Sequence, residues 1–388
     1  MIILQSMVPN RRRLARSITL SVVVLLSPVL AFVISSPTGA TSPTISTTQY
    51  VSPLFCQLLG MNCAKPTDFT FSFQGFCRRG GETDVHADGW GIAFYQDGGV
   101  RQFHDVEAAS TSPLARYLGQ QPIQTVNMMG HIRYATQGNV NLANVHPFSR
   151  EMWGIVWCFC HNGEIPYFSG GKRPKLKSLC STTASTSVDY YHPVGTTDSE
   201  ATFCAILNAL RCKFTTLPSL PVLHEAIQEL CAEIVQHDPQ GTIFNFLLTC
   251  GPHTQWVYSW PGQRPGSTVW NGLHYTVRDN PSKPVHLADM NMTVDFFDTT
   301  FNTAAAYQED SVSIIATKPL TEDEQWTEVQ RGQLMVFDQG KPYQTPYELF
   351  ELELKGHGLE STVLQKPCLE LDMRQYNLEL AHFQGACI

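Results

Sequence analysis

Cys56-Gln57-Leu58-Leu59-Gly60 is the point at which this chain starts to look like a folded protein. A short apolar run ended by glycine predicts a buried strand. Similar runs follow at Trp90–Tyr95, Val126–Arg133, Gly154–Cys160, Ile243–Thr249, Trp256–Ser259, Val312–Thr317 and Leu334–Phe337. Two helices are legible between them. Thr197-Asp198-Ser199-Glu200 has the form of a capping box and leads into Phe203, Leu207 and Leu210 on one face. Leu223, Ile227, Leu230 and Ile234 make a second stripe. Strands and helices do not alternate regularly, so the pattern predicts an α+β layered protein, not a doubly wound one.

Before Cys56 the sequence is of another kind. Arg11, Arg12, Arg13 and Arg16 precede an uncharged, Val- and Leu-rich stretch from Ser17 to Ile34, and Val29-Leu30-Ala31 offers small residues for cleavage. Residues 1–34 read as a signal-peptide-like segment, with a signal anchor as the less favoured alternative. Residues 35–55 are Ser/Thr/Pro-rich and free of Asp, Glu, Lys and Arg, which suits a linker or a transit-like segment and cannot form a core. Secretion, plastid-type targeting through a bipartite presequence, and a misassigned gene start with a cytoplasmic product all remain open. Each sets residues 1–55 apart from the fold, and the mature form is not expected to be membrane-embedded.

The 388 residues are 43% hydrophobic and 15% charged, enough for a large core. The net charge of -8 and the lack of a basic cluster beyond the N-terminus argue against a nucleic-acid partner. Twelve cysteines without a CxxC pair or regular spacing predict neither a zinc ribbon nor a disulfide scaffold. Cys158, Cys160 and His161 are near neighbours, but in a strand alternate residues face opposite ways, so no metal is expected there. Arg79-Gly80-Gly81 and Asp97-Gly98-Gly99 lack phosphate-loop spacing and read as turns, and no cofactor is expected.

Four motifs stand in order: Cys56-Gln57-Leu58-Leu59-Gly60, Gly130-His131-Ile132-Arg133-Tyr134-Ala135-Thr136-Gln137-Gly138, His161-Asn162-Gly163 and Gly195-Thr196-Thr197-Asp198-Ser199-Glu200. Their content and order resemble the class II glutamine amidotransferases. Arg79-Gly80-Gly81, His86-Ala87-Asp88-Gly89-Trp90-Gly91, His146-Pro147-Phe148 and Ala316-Thr317-Lys318-Pro319-Leu320-Thr321 look like the YafJ-type branch, which includes Dug-type glutathione-degrading subunits. The resemblance implies an N-terminal-nucleophile hydrolase fold, a four-layer αββα sandwich of two sheets between helical layers. It spans residues 56–342 as one amidotransferase domain and leaves 343–388 as an extension of unassigned role.

The chemistry follows from residue types. An amide is a poor electrophile, so a thiolate is needed, and a free Cys is mostly protonated near neutral pH. A Cys heading a chain has an α-amine of pKa roughly 7.7–8.0 beside it as base. The resemblance casts Cys56 as that nucleophile, against the reading of a buried strand cysteine. It casts Asn162 and Gly163 as oxyanion donors, against a plain Asn-Gly turn. Arg133 and Thr136 would hold the α-carboxylate of a γ-glutamyl head and Asp198 its ammonium. The plain alternatives are a surface salt-bridge arginine and a helix-start aspartate. His131, His146 and His161 are expected to be structural hydrogen-bonding residues, and Trp90 to pack near the site.

The expected substrate is a small-molecule γ-glutamyl amide, either glutamine or a peptide such as glutathione. After the amidohydrolase region too little chain remains for a synthase domain. A free-standing hydrolase or one subunit of a two-protein system is expected, with a catalytically silent binding protein as the competing reading if Cys56 is not exposed as the N-terminus.

Overall fold

The structure is a computed structural model that describes residues 56–136, 138–180, 189–262, 271–279, 285–290, 293–294 and 311–343. The signal-like segment 1–34, the linker 35–55 and, beyond Tyr343, the C-terminal extension lie outside the described residues. The elements in chain order are β1 (Gln57–Asp68), α1 (Thr70–Arg78), β2 (Trp90–Gln96), β3 (Gly99–Asp105), α2 (Pro113–Leu118), β4 (Gln124–Ile132), β5 (Phe148–Met152) and β6 (Ile155–Glu164). They continue with α3 (Asp198–Lys213), α4 (Leu220–Gln236), β7 (Ile243–Cys250), β8 (Thr254–Trp260), β9 (His274–Asp279), β10 (Val285–His286) and β11 (Thr293–Val294). The last are β12 (Ser311–Ala316), β13 (Thr327–Glu328), β14 (Gln333–Asp338) and β15 (Lys341–Pro342).

Two sheets hold the fold. One has the order β13-β9-β12-β1-β4-β2-β3 and the other β15-β14-β8-β7-β6-β5, with β10 and β11 forming a separate pair. Side-chain alternation builds the layers between them. Phe244, Phe246 and Leu248 of β7 join Phe159, Trp256, Phe203 and Ile227 in a core against α3 and α4. Leu247, one residue out of phase, lies with Leu58, Met129, Cys160, Val257 and Ile315 between the sheets. Leu59, Trp90, Phe94 and Met128 pack on the far side with Phe73, Phe76 and Leu118 of α1 and α2. Helices, sheet, sheet, helices is the αββα sandwich expected from the sequence.

Buried polar side chains cross the inter-sheet layer and end on backbone groups of the opposite sheet. Asn62 donates to His253 O (2.7 Å) and accepts from Gly340 N (2.8 Å), Gln255 donates to Met128 O (2.9 Å), and the Tyr95 hydroxyl donates to Val156 O (2.7 Å). Bonds of this kind fix how the sheets lie across each other, because leaving any of these groups unpaired costs about 1–3 kcal/mol.

All eight strands and both helices expected from the sequence are present. α1, α2, β3, β5, β9 and the two-residue strands β10, β11, β13 and β15 were not expected. α1 has no side-chain cap and no acidic first turn, and β3 and β5 are edge strands whose sequences mix polar and apolar residues. Arg79 adds a contact the sequence did not announce. It lies in a turn directly after α1, as expected, but its side chain is buried, with its guanidinium bonded to Asp289 (2.6 Å), Lys318 O (2.7 Å) and Pro319 O (2.6 Å).

Leu247 is fully buried between the sheets. A Leu247→Ala variant is expected to lose about 2–5 kcal/mol of folding free energy in a urea titration. A loss well below 1 kcal/mol would show that the inter-sheet layer is not the tightly packed core described above.

Candidate active site

The register of β1 fixes the sulfur. Gln57 pairs with Ile132 of β4, so the preceding residue, Cys56, comes level with Arg133. The Tyr134 N–H donates to Cys56 Sγ at 3.3 Å, and the thiol in turn approaches Tyr134 O at 3.5 Å. On the other side Leu58 N donates to Thr317 Oγ1 (2.9 Å) and Thr317 N to Leu58 O (3.2 Å), which clamps the start of the strand. Burial pushes the Cys56 thiol up to about 11, opposed by the Tyr134 amide and the Arg133 charge and assisted by the Asp198 carboxylate. No imidazole is among the groups that shift it.

Arg133 is 2% exposed, which removes the surface salt-bridge alternative. Its guanidinium donates to Asn139 O (3.2 Å) and Gly138 O (3.4 Å). Burial lowers its pKa, and Cys56 and Asp88 act the other way. The His86–Gly91 motif lies alongside. Arg133 N donates to Gly89 O (2.8 Å), Asp88 N to Arg133 O (3.2 Å), and Asp88 Oδ2 accepts from Ala135 N (2.8 Å). Gly91 has to be glycine, since a Cβ there would stand 2.2 Å from His146 O. Trp90 is buried against Phe73 in the outer core, a packing residue.

Asn162 and Gly163 lie inside β6, paired with Asn245 and Phe244, so the Asn-Gly turn alternative is also removed. Gly163 has φ +140, and a Cβ there would meet Ile243 O at 2.0 Å, so no other residue fits. The Asn162 Oδ1 is buried without a hydrogen-bond partner. Asp198, 4% exposed, accepts from Ile165 N (2.7 Å) and Ser199 N (2.8 Å), joining the end of β6 to the first turn of α3. Thr197 caps the helix by accepting from Glu200 N (3.3 Å). Glu200 departs from the reciprocal capping box. Its carboxylate takes Gly195 N (2.7 Å) and Arg150 (2.6 Å), so it orders the loop ahead of the cap.

Three buried histidines line the junction of the sheets. His131 Nε2 meets His161 O at 3.2 Å, which brings Arg133 and Asn162 into one region. His161 meets Ser199 Oγ (2.8 Å) and Ile243 O (3.1 Å) through its two nitrogens. The His131 and His146 rings are 4.1 Å apart, and both His146 nitrogens lack a partner among the described residues. Hydrogen bonding as the sole role of all three therefore needs correction: His146 serves as a packed ring against His131 and Phe148.

Five of the six expected site residues thus converge at the C-terminal end of β4 and the ends of β1 and β6. Thr136 is exposed beyond Arg133, and the described contacts do not tie its hydroxyl to the others. Among the described residues no group of three His, Cys, Asp or Glu side chains is placed to hold a metal. Cys158 and Cys160 point into the inter-sheet layer while His161 faces Ser199. A cavity of about 430 Å³ beside α3, lined by Arg173, Lys175, Cys180 and Asn208, includes none of the six. Asn144, buried beside Arg133's loop, escaped the sequence reading. Its only signal is that glycines 138 and 195 leave it room.

The family described as class-II glutamine amidotransferases matches residues 55–354. A Haemophilus influenzae protein assigned as a glutamine amidotransferase is 41% identical over 292 residues, covering 75% of this chain and 87% of its own length. YafJ of Escherichia coli, assigned likewise, is 35% identical over 286 residues, covering 74% and 98%. The crystal structure of a predicted glutamine amidotransferase from Pseudomonas aeruginosa, 33% identical, matches with a TM-score of 0.52 over 75% of this chain and all of its own.

The histidines set an acid limit on the fold. Burial lowers the pKa of His131, His146 and His161 below the ordinary 6.5. The unfolded chain therefore binds protons first, so their contribution is complete above about pH 6.5 and is lost as pH falls toward the depressed values. The thermal midpoint is expected to drop steadily between pH 7 and 5.5, above the main carboxylate range. A flat profile over that window would contradict neutral, buried imidazoles.

Proposed function

The chain belongs to the class II glutamine amidotransferases, in the YafJ-type branch, and from that premise we propose that it hydrolyses γ-glutamyl amides with Cys56 as an N-terminal nucleophile. The observation that supports this most is the position of one sulfur, held by the Tyr134 amide and acted on by both Arg133 and Asp198. Those opposite charges suit the carboxylate and ammonium of a γ-glutamyl head. The head is then anchored with its amide carbonyl toward Cys56.

A thiol near 11 needs a base. Once processing exposes Cys56, its α-amine, with an ordinary pKa of roughly 8, takes the proton directly or through a water. That transfer is uphill by roughly 4 kcal/mol between isolated groups, and the ammonium formed beside the thiolate offsets part of it. The thiolate attacks the amide carbon, and the oxyanion is held by the Asn162 side-chain NH2 and the Gly163 N–H. One such donor typically contributes about 2.7–4 kcal/mol. The ammonium returns its proton to the leaving amine, and water resolves the thioester.

Glutamine and γ-glutamyl peptides such as glutathione share this head, and the branch resemblance favours a peptide, with a second protein subunit as partner. The working domain is residues 56–342, preceded either by a targeting segment for secretion or plastid-type import that is removed or, with a misassigned gene start and a cytoplasmic product, by no segment of its own. A second reading rests on Phe55. While it precedes Cys56 there is no free amine, and the site binds a γ-glutamyl head without turning it over.

Protein beginning at Cys56 is expected to hydrolyse glutamine or glutathione, and Cys56→Ala to abolish turnover. Retaining Phe55 is expected to reduce kcat by about 100-fold or more, the weight of a general base. N-terminal sequencing of the native protein together with these assays decides the matter. Turnover that is indifferent to Cys56 would overturn the proposal, and binding without hydrolysis in protein beginning at Cys56 would favour the second reading.

A further inference from the structure

Arg133 and Asp198 sit on different segments, and a head with fixed spacing between carboxylate and ammonium demands a fixed spacing between its two grips. One side chain spans the gap. Asn144, fully buried at the end of the short 3-10 turn Leu142–Asn144, donates through Nδ2 to Asn139 O (2.9 Å) and Thr196 Oγ1 (3.2 Å). Its Oδ1 accepts from Thr196 N (2.8 Å). Asn139 O is the same carbonyl that receives Arg133 Nη1 at 3.2 Å, and Thr196 is two residues before Asp198.

The room for this amide is built in. A Cβ on Gly195 would lie 2.3 Å from Asn144 Oδ1, and one on Gly138 2.8 Å from Nδ2. Gly138 also has φ +73, a conformation that disfavours other residues. Asn144 N is itself held by Asn141 Oδ1 at 3.1 Å, so the side chain projects from an ordered turn. A buried amide with three bonds, all to the two segments that carry the grips, has no packing purpose that an apolar residue would not serve better.

We propose that Asn144 is a positioning residue that sets the distance between the carboxylate grip at Arg133 and the ammonium grip at Asp198, and so selects an L-α-amino-acid head. It touches neither Cys56 nor the scissile amide. The inference rests on the γ-glutamyl reading of the site and refines it.

Asn144→Asp keeps the size and the acceptor for Thr196 N but replaces the donor by an oxygen facing Asn139 O. In protein beginning at Cys56 it is expected to raise KM for the γ-glutamyl substrate about tenfold or more with kcat changed less than about threefold, the pattern of lost head binding. Labelling of Cys56 by iodoacetamide, which has no head to grip, is expected to stay at the parent rate, while labelling by a diazoketone analogue of glutamine falls with the KM change. Thr196→Val, a milder variant that removes only the hydroxyl acceptor, is expected to move KM in the same direction by about threefold. Unchanged KM in both variants, or a parallel loss of iodoacetamide labelling and kcat, overturns the positioning role while leaving the γ-glutamyl reading intact. If the parent protein itself neither turns over a γ-glutamyl amide nor reacts with the diazoketone, the underlying reading fails and this inference with it.

Discussion

Strand β1 lies inside its sheet, bonded to β4 on one side and β12 on the other, and its register decides where the chemistry can occur. Gln57 opposite Ile132 sets Cys56 beside Arg133, and Leu59 opposite Ala316 brings Thr317 onto the start of the strand. A slip of one residue would turn Leu58 out of the inter-sheet layer and Leu59 out of the outer core together. Both faces of β1 are buried, so neither exchange is tolerable. The position of one sulfur is thereby tied to the packing of three layers.

From that strand the remaining site parts are placed by buried polar links, not by apolar contact. Asp198 holds Ile165 N and so carries β6 with α3, and His131 reaches His161 O between the sheets. Glu200 orders Gly195 ahead of the helix cap. Arg79 gathers Asp289 with the carbonyls of Lys318 and Pro319, immediately after the Thr317 that clamps β1. Each link is directional and unforgiving of loss, so a site assembled this way is held to tighter tolerance than packing alone gives.

The strands were legible in the sequence where both faces are buried. Leu58-Leu59, Ile92-Ala93-Phe94 and Phe246-Leu247-Leu248 are solid apolar runs, and solid runs are what a two-sided core requires. β3, Gly99-Val-Arg-Gln-Phe-His-Asp, is an edge, and its polar residues hide the period. Residues with charge at the site were found because their motifs are contiguous. The buried contacts of Arg79 and Asn144 were not, because their partners lie far away in sequence, at Asp289 and Thr196, and no local pattern announces a contact of that separation. Glycines were the nearest thing to a signal. Gly91, Gly138, Gly163 and Gly195 all mark places where another backbone or a buried amide comes too close for a Cβ.

Under the proposed mechanism, the thiol's own environment makes exposure of the Cys56 amine part of the chemistry. Burial raises Cys56 to about 11, and neither the Arg133 charge nor the Tyr134 amide brings it back to the neutral range. A thiol raised that far is almost entirely protonated near neutral pH, so the proposed attack needs a base. Within the described site the histidines offer no remedy. Their own pKa values are lowered, they are engaged with carbonyls or with each other, and none acts on the sulfur. The proposed mechanism takes its base from the chain itself, as the α-amine that the peptide bond between Phe55 and Cys56 withholds. In that proposal, cutting the bond places an amine on the residue that carries the sulfur, at the start of a strand whose register is already fixed by β4 and β12.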